Sequence, residues 1–373
     1  MPALRTPVRV LVVDDSALVR EVMQRVLGAD ESFSVTTAAD AFIATRKIAA
    51  SRPDVILLDL AMPRMDGLAF LRQLMVDDPI PVVICSVLTS GGADVAMRAL
   101  DEGAVDVISK PRVGLKGVAD EAVAPLADAL RAAAQARVKR RPAAVLVPGP
   151  APAPPTPVRA VVTPVAPSAH RGAGANTIVA IGASTGGTEA LNVVLSALPH
   201  DAPGVVVVQH MPEGFTAAFA NRLDGACRVR VREAVDGDKV ERGLALIAPG
   251  GRHLVVRREG ACYRARVVDG PAISRHKPSV DVLFRSVAAA AGPSAVGVLM
   301  TGMGRDGADG MAEMKQRGAR TVAQDQASSV VFGMPKEAIA LGVVDEVVSL
   351  SRIAAAILDN ASSLGRVGGS VDG

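Results

Sequence analysis

The sequence has few aromatic residues and almost no net charge. Of its 373 residues, 2% are aromatic and none is Trp, which argues against the base-stacking surfaces that single-stranded nucleic acid requires. With 41 Lys and Arg against 38 Asp and Glu, no overall field draws the chain to nucleic acid or to anionic lipid. We therefore expect no nucleic-acid partner.

Cysteines and long apolar runs are also scarce. The three cysteines, Cys85, Cys227 and Cys262, are far apart and show no metal-ligand spacing, so a reducing cytoplasm is the simplest location. No run reaches the roughly 18 apolar residues of a membrane helix. The start of the chain, MPALRTPVRVLVVDD, lacks the features of a signal peptide. We expect a cytoplasmic protein without membrane insertion.

A stretch rich in proline and alanine divides the chain. Residues 138–176 show no helical or strand periodicity, and their prolines favour extended backbone, so we expect a semi-rigid linker there. The length predicts two domains of ordinary size. We therefore divide the chain into a first domain (1–137), the linker (138–176), a second domain (177–362) and a flexible tail (363–373).

Both folded units alternate short, continuously apolar runs with amphipathic stretches. The first shows five such β/α repeats, and the second contains TIVAIGAS, GVVVVQHM, LALIAPGG and SAVGVLMTGMG. Strands of this kind indicate parallel sheets covered on both faces. The sequence predicts an α/β protein: an N-terminal doubly wound (βα)5 domain and a C-terminal doubly wound, mainly parallel α/β domain. The segment HLVVRREGACYRARVVDGP predicts a hairpin on the second sheet.

Polar residues follow the predicted strands of the first unit. Asp14 and Asp15 follow the first strand, Asp59 the third, Ser86 the fourth and Lys110 the fifth. In an open parallel sheet, ligands bind beyond these carboxyl ends, and converging carboxylates require a hard cation such as Mg²⁺. Any one of the aspartates alone reads more simply as a helix or turn cap, but residues at several matching strand ends favour a site.

The run IVAIGASTGG, residues 178–187, allows two interpretations. GASTG satisfies G-x-S-x-G after an apolar strand, the pattern of a nucleophilic serine at Ser184. A phosphate-binding loop would need G-x-G-x-x-G or a following Lys, and Thr188 and Glu189 follow instead. Because any helix N-terminus can bind an anion, a signalling adaptor that binds an anion or nucleotide without catalysis stays open as the alternative.

A nucleophilic serine needs a base and a residue that orients it. His210 follows the strand GVVVV, the position where reactive groups collect, while His253 and His276 lie in loops and remain possible. Asp306 and Asp309 follow the apolar run GVLM, and Asp306 lies closer to the strand. Taken alone, Asp306 also reads as a turn residue beside a glycine.

The first unit resembles a response-regulator receiver domain in VVDDSALVR, ILLDLAMPRMDG, ICSV and ISKP. The resemblance implies that Asp59 is the phosphoacceptor and that Asp14 and Asp15, with Asp59, bind Mg²⁺. It also implies that Ser86 is the hydroxyl switch residue and that Lys110 pairs with the phosphate.

The second unit is similar to the chemotaxis receptor methylesterases, also called protein-glutamate methylesterase/glutaminases, in IGASTGGTEAL, VVVVQHMPEGFTAAFANRL, SRHKPSVDVLFRSVA and GVLMTGMGRDGADGM. The resemblance implies that Ser184 is the nucleophile, His210 the general base and Asp306 the residue that orients it. Thr185 and Met303 match positions associated with the oxyanion site.

The same resemblance implies the partners and the regulation. The expected substrates are methylated cytoplasmic domains of chemoreceptors, and the expected phosphodonor is a histidine kinase. No cofactor is expected in the second domain. The segment 275–281 of that domain is expected to shape the cleft. One departure concerns the receiver: Val107 stands where its last strand often carries an aromatic switch residue.

Overall fold

The computed structural model describes residues 6–62, 66–86, 90–110, 120–138, 140 and 177–367. The predicted linker therefore lies outside the described residues, except at positions 138 and 140. Among the described residues, no helix is both long enough and apolar enough to cross a bilayer.

The first unit is a parallel sheet flanked by helices. Its elements are β1 (Val8–Val13), α1 (Ala17–Gly28), β2 (Phe33–Ala38), α2 (Ala41–Ala50), β3 (Val55–Leu58), α3 (Gly67–Asp77), β4 (Val82–Ser86), α4 (Ser90–Asp101), β5 (Asp106–Ser109) and α5 (Asp120–Ala134). The strand order is β2-β1-β3-β4-β5, with every pairing parallel. All four residues of β3 are buried, as expected for a sheet covered on both faces. The predicted (βα)5 domain is confirmed.

The second unit contains a larger parallel sheet. Its elements are β6 (Ile178–Ala183), α6 (Gly187–Ala197), β7 (Gly204–Gln209), α7 (Thr216–Ala226), β8 (Arg230–Glu233), β9 (Lys239–Val240), β10 (Leu244–Ile247), β11 (His253–Glu259), β12 (Cys262–Val268), α8 (Val280–Ala291), β13 (Ala295–Leu299), α9 (Ala308–Gln316), β14 (Arg320–Gln324), α10 (Met334–Ala340), β15 (Glu346–Val348) and α11 (Leu350–Val367). Seven strands pair in the order β15-β14-β13-β6-β7-β10-β8. The chain builds outward from β6 on one side and then returns to the other side at β13. This order places a topological switch point at β6, where open α/β sheets bind their ligands.

The predicted hairpin forms, but the prediction that it joins the parallel sheet is wrong. Strands β11 and β12 pair antiparallel and, with β9, make a separate three-stranded sheet. Alternate residues of the hairpin, including Leu254, Val256 and Ala265, share a buried apolar cluster with Phe284 of α8. Alternation identifies a strand with one buried face but leaves open which element covers that face.

The last helix extends past the predicted start of the tail. Helix α11 ends at Val367 and buries Ile353 and Ile357, whereas the tail was predicted to begin at residue 363. The remaining residues, 368–373, lie outside the described part of the chain.

The first unit lies against the second near the carboxyl ends of β6 and β7. Helix α4 packs beside α6 and α7, and one buried apolar cluster includes residues of both units, such as Met97 and Leu195. Strand β5 and helix α5 line a cavity together with loops of the second unit.

Candidate active site

Ser184 lies in a tight turn between β6 and α6. Gly186, just before the helix, has φ of 76°, a conformation that favours glycine. A Cβ on Gly186 would lie 2.5 Å from Cβ of Val330, and one on Gly187 would lie 2.1 Å from Oε1 of Gln209. Backbone geometry and close packing therefore account for both glycines without a bound phosphate.

The backbone of Ser184 is fixed by its neighbours. Its N–H donates to the carbonyl of Thr301 at 3.0 Å, and its carbonyl accepts from Nε2 of Gln209 at 2.9 Å. The residue is only 8% exposed, although it lines a cavity between the two units. The turn thus holds the hydroxyl-bearing residue in one place at the sheet edge, beneath the first unit.

His210 and Asp306 meet beside this turn. His210 follows β7 directly, and its Nε2 lies 2.8 Å from Oδ2 of Asp306, in the loop between β13 and α9. Both side chains are nearly buried, at 7% and 1% exposed. Because β13 and β7 flank β6, the residues after all three strands reach one cavity, which Ser184, His210 and Asp306 line.

Asp306 is held as a carboxylate by four donors. Besides His210, it accepts hydrogen bonds from the Ser279 hydroxyl at 2.8 Å and from the N–H groups of Val280 at 2.8 Å and Asp281 at 3.0 Å. Burial opposes its ionisation, but these hydrogen bonds and the adjacent imidazole lower the pKa to about 2. The two amides begin α8, whose dipole also favours a negative charge there.

These contacts determine which ring nitrogen of His210 carries the hydrogen in the neutral form. An ionised carboxylate only accepts hydrogen bonds, so in neutral His210 the nitrogen next to Asp306, Nε2, carries the hydrogen. The lone pair is then on Nδ1, which is buried and has no hydrogen-bond partner among the described residues. Nδ1 is therefore the ring nitrogen available as a base.

The other candidates from the sequence have different environments. His253 is hydrogen-bonded through both ring nitrogens, to the carbonyl of Pro271 at 2.9 Å and to the N–H of Ser279 at 3.2 Å. His276 stacks on His210. Asp309 pairs on the surface with Arg305 at 2.6 Å. Of the two aspartates, only Asp306 contacts a histidine in the described residues.

Thr185 and Met303 line the same cavity as Ser184. Thr185 is 2% exposed, and its hydroxyl donates to Oδ2 of Asp106, on β5 of the first unit, at 3.0 Å. Burial raises the pKa of Asp106 to about 6. The residue after Ser184 is thus tied to the other unit by its side chain.

The acidic residues predicted for the first unit meet at one sheet edge. Carboxylate oxygens of Asp14, Asp15 and Asp59 lie within 4.8 Å of one another. Lys110 reaches Asp59 at 2.6 Å and Asp14 at 2.7 Å through Nζ. Burial works against the charge on Lys110, yet these two hydrogen bonds raise its pKa. Ser86 ends the neighbouring strand and is buried.

The Ser184 site lies at the contact between the two units. A cavity of about 650 Å³ is lined by β5 and α5 on one side and by the Ser184, His210 and Asp306 loops on the other. Nη1 of Arg275 lies 2.9 Å from Oδ2 of Asp128 on α5, and Arg222 pairs with Asp101. Val107, where receiver domains often carry an aromatic residue, lies buried in β5 and lines the cavity.

Sequence comparison identifies relatives along nearly the whole chain. Over 349 residues it is 56% identical to protein-glutamate methylesterase/protein-glutamine glutaminase 5 of Anaeromyxobacter dehalogenans, an alignment that covers 93% of this chain and 95% of that protein. The chain belongs to the protein-glutamate methylesterase/protein-glutamine glutaminase family. A second member, protein-glutamate methylesterase/protein-glutamine glutaminase 3 of Rhodopseudomonas palustris, is 52% identical to this chain. The alignment covers 94% of this chain and 95% of that protein.

Family models match both units of this methylesterase/glutaminase. The response regulator receiver domain matches residues 10–115, and the CheB methylesterase matches residues 179–357. Among solved structures, the Thermotoga maritima CheB methylesterase catalytic domain is 37% identical, with a TM-score of 0.49, 49% of this chain covered and 98% of that chain. The resemblance seen in the sequence motifs is confirmed.

Several residues that organise the site were not predicted individually. Ser279 and Asp281 lie in the segment expected to shape the cleft, and both support the Asp306 loop: the Asp281 carboxylate also accepts from the N–H of Gly307 at 3.0 Å and of Gly310 at 2.7 Å. Burial, above all, raises the pKa of Asp281. Their only signal in the sequence was that they open a helix. Asp106 had no signal, since its partner Thr185 lies in the other domain.

Proposed function

We propose that this protein is a serine hydrolase that demethylates glutamate methyl esters in the cytoplasmic domains of chemoreceptors and releases methanol. The observation that supports this most directly is the convergence of Ser184 with the His210 and Asp306 pair on one cavity. The relatives' names, protein-glutamate methylesterase/protein-glutamine glutaminase, supply the substrate class. The aspartate in this pair is ionised and the histidine offers a free ring nitrogen, the two states that such chemistry needs.

The first half of the reaction is acyl transfer to the serine. Oγ of Ser184 attacks the ester carbonyl while Nδ1 of His210 accepts the hydroxyl proton. The tetrahedral intermediate collapses, the C–O bond to the methoxy group breaks, and the imidazolium returns the proton to the departing methanol. A glutamyl ester on Ser184 remains.

The second half is hydrolysis of that ester. Nδ1 of His210 accepts a proton from water as the water oxygen attacks the carbonyl. The tetrahedral intermediate then collapses, the bond between its carbon and Oγ of Ser184 breaks, and the imidazolium returns the proton to Oγ. The carboxylic acid that is released loses its remaining proton to solvent. The product is a glutamate carboxylate. Asp306 keeps the ring oriented and offsets the positive charge that His210 carries twice in the cycle.

The oxyanion of both intermediates requires donors near Ser184. The N–H groups of Thr185 and Met303 are our candidates, because both residues line the cavity beside the serine. Each well-placed donor contributes about 10²–10³ in rate. A glutamine side chain would follow the same path with ammonia as the leaving group, which gives the glutaminase activity.

The first domain acts as a phosphorylated receiver with a histidine kinase as phosphodonor. Asp59 is the phosphoacceptor, Lys110 pairs with the phosphoryl group, and Ser86 is the hydroxyl switch. Clustered carboxylates fit a hard divalent cation, and Asp14, Asp15 and Asp59 offer oxygens within 4.8 Å of one another. These three would hold Mg²⁺, which supplies positive charge opposite the acyl phosphate.

Phosphorylation would regulate access to the serine. With Asp59 unmodified, the receiver lies over the cavity and bonds to Thr185 and Arg275. A phosphoryl group on Asp59 adds negative charge beside Lys110 and shifts the equilibrium toward an arrangement in which the receptor reaches Ser184. We assign the receiver to 1–137, the linker to 138–176 and the catalytic domain to 177–362, and place the end of helix α11, through Val367, with the catalytic domain rather than with the predicted tail of 363–373.

The alternative is an adaptor whose second domain binds an anion or nucleotide at the glycine turn. The packing of Gly186 and Gly187 against Val330 and Gln209 disfavours it. A fluorophosphonate probe separates the two functions. The hydrolase predicts covalent labelling at Ser184 that is lost in His210→Ala, whereas an adaptor predicts no labelling. The three free cysteines and the receptor domains involved support a cytoplasmic location.

A further inference from the structure

His276 lies face to face with the imidazole of His210. The two ring centroids are 3.7 Å apart, and the planes differ by 9°. Such a contact covers one whole face of the base and restricts rotation of its ring. The Asp306 hydrogen bond holds only one edge of that ring, at Nε2.

The backbone before His276 is shaped to produce this contact. Ile273 and His276 exchange two backbone hydrogen bonds of 3.1 and 2.8 Å. The two residues between them, Ser274 and Arg275, both have positive φ, at 51° and 67°. A two-residue turn with positive φ at both positions is normally made with glycine or asparagine. Side chains that adopt it without glycine mark a strained turn, and such turns cluster at functional sites.

The charge state of His276 suits a partner for a base that becomes cationic. Burial, followed by the neighbouring His210, lowers the pKa of His276 to about 3, and Arg275 acts in the same direction while Asp306 opposes it. The ring is therefore neutral at neutral pH. A neutral ring tolerates a stacked imidazolium, whereas a second cation at 3.7 Å would repel it.

We propose that His276 is a positioning residue for His210: by stacking on the imidazole it keeps Nε2 on Asp306 and leaves Nδ1 as the base nitrogen. This inference rests on the proposed hydrolase function. His276 makes no bond to substrate in it, and its contribution is to restrict the ring to the productive orientation. Small misplacements of a catalytic group cost about 10²-fold in rate, which sets the scale of the effect.

The test uses the full chain, activated with acetyl phosphate, and methanol release from a methylated receptor fragment. His276→Ala and His276→Asn remove the aromatic plane, and we expect kcat to fall by about 10- to 100-fold with KM changed by less than about threefold. His276→Phe keeps the plane and should stay within about fivefold of the parent. His200→Ala, at an exposed turn residue, is the control for loss of a histidine and should match the parent.

A second measurement does not depend on turnover. In ¹⁵N-histidine NMR spectra of the full chain, His210 should show one neutral tautomer, protonated at Nε2, in the parent and in His276→Phe. It should show a mixture in His276→Ala or His276→Asn. The proposal is overturned if these two variants keep kcat within twofold and retain the single tautomer, or if His276→Phe loses as much activity as they do. If Ser184→Ala still released methanol, the proposed hydrolase function would be wrong. The NMR measurement would still decide whether His276 orients the ring of His210.

Discussion

The hydroxyl of Thr185 donates a 3.0 Å hydrogen bond to Oδ2 of Asp106. Asp106 begins the four-residue strand β5, and Lys110, which pairs with Asp59 at 2.6 Å, follows its end. One short strand therefore contacts the phosphorylation site at one end and the residue beside Ser184 at the other. A shift of Lys110 toward a phosphoryl group is therefore transmitted along the backbone of β5 to Asp106, which contacts the active site.

Asp106→Asn should strengthen the contact between the domains at neutral pH. Burial raises the pKa of Asp106 to about 6, so above that pH the docked receiver holds a buried carboxylate. Asparagine keeps an acceptor for Thr185 without the charge. We expect the rate of methanol release without phosphodonor to fall about two- to tenfold at pH 7.5.

The same residue predicts a pH dependence. The pKa of Asp106 is higher in the docked state than in a solvated carboxyl, near 3.9, so the docked state binds the proton more tightly. Docking is strengthened as the pH falls through about 6 and weakened as it rises. The ratio of basal to acetyl phosphate-activated rate should therefore rise between pH 5.5 and 7.5 in the parent and stay flat in Asp106→Asn. A rise of equal size in both would rule out this role.

Asp59→Asn should abolish activation by phosphodonor. The amide cannot form an acyl phosphate, so the receiver stays docked over the cavity. We expect acetyl phosphate to accelerate methanol release by the parent about tenfold or more, since about 1.4 kcal/mol in the docking equilibrium suffices. The variant should stay at its own basal rate. Equal acceleration of parent and variant would contradict phosphorylation of this residue.

Asp306→Asn should impair both catalysis and stability. One amide oxygen cannot accept from the Ser279, Val280 and Asp281 donors together, and its NH₂ group would face Nε2 of His210 and favour the wrong tautomer. We expect kcat to fall about 10²–10⁴-fold, less than in Ser184→Ala. The free energy of unfolding should fall by about 1–3 kcal/mol at pH 7.

The pH dependence of stability provides a control for this variant. The pKa of Asp306 is lowered to about 2, so its stabilising contribution is complete above the unfolded value near 3.9 and is lost as the pH falls through about 2. Acid unfolding curves should show this loss in the parent and not in Asp306→Asn. Superimposable curves would contradict the assigned charge state.

Gly186→Ala should disrupt the serine turn. The residue has φ of 76°, and its new methyl group would lie 2.5 Å from Val330. Backbone strain of about 1–2 kcal/mol and overpacking of about 1–3 kcal/mol should add in the free energy of unfolding. We expect kcat to fall about 10²-fold, because Ser184 moves.

Gly237→Ala is the matched control for that substitution. Gly237 also has positive φ, at 88°, but no atom of the described residues lies within 4 Å of the added methyl group. Denaturant unfolding should show the backbone strain alone, about 1–2 kcal/mol, with methanol release unchanged. Equal losses of activity in the two variants would contradict the claim that the turn at Ser184 positions the catalytic serine.

The residues at strand ends could be predicted from the sequence for a simple reason. Apolar runs identify parallel strands, and the carboxyl ends of parallel strands meet at one edge. Each predicted site residue follows such a run: Asp59 and Lys110 in the first unit, and Ser184, His210 and Asp306 in the second. The pattern therefore predicted which residues meet within each unit, without any knowledge of loop geometry.

The supporting residues could not be predicted in that way. Asp106 bonds to a residue 79 positions later in the chain, and no local pattern encodes a contact between domains. Ser279 reaches Asp306 across 27 positions through a loop whose course depends on packing. His276 follows two residues in left-handed conformation, which their side chains do not predict. The prediction that the hairpin joins the parallel sheet was wrong for a similar reason. The alternation showed that one face of the hairpin is buried, but not that α8 covers that face.

Acyl transfer from a methylated glutamate to Ser184 is the step on which the proposed function depends. Its most direct test is methanol release from a methylated receptor fragment by acetyl phosphate-activated protein, comparing the parent with Ser184→Ala. We predict that the variant loses at least about 10³-fold in kcat, while its acid and denaturant unfolding match the parent. Methanol release by Ser184→Ala within a few-fold of the parent would contradict the account.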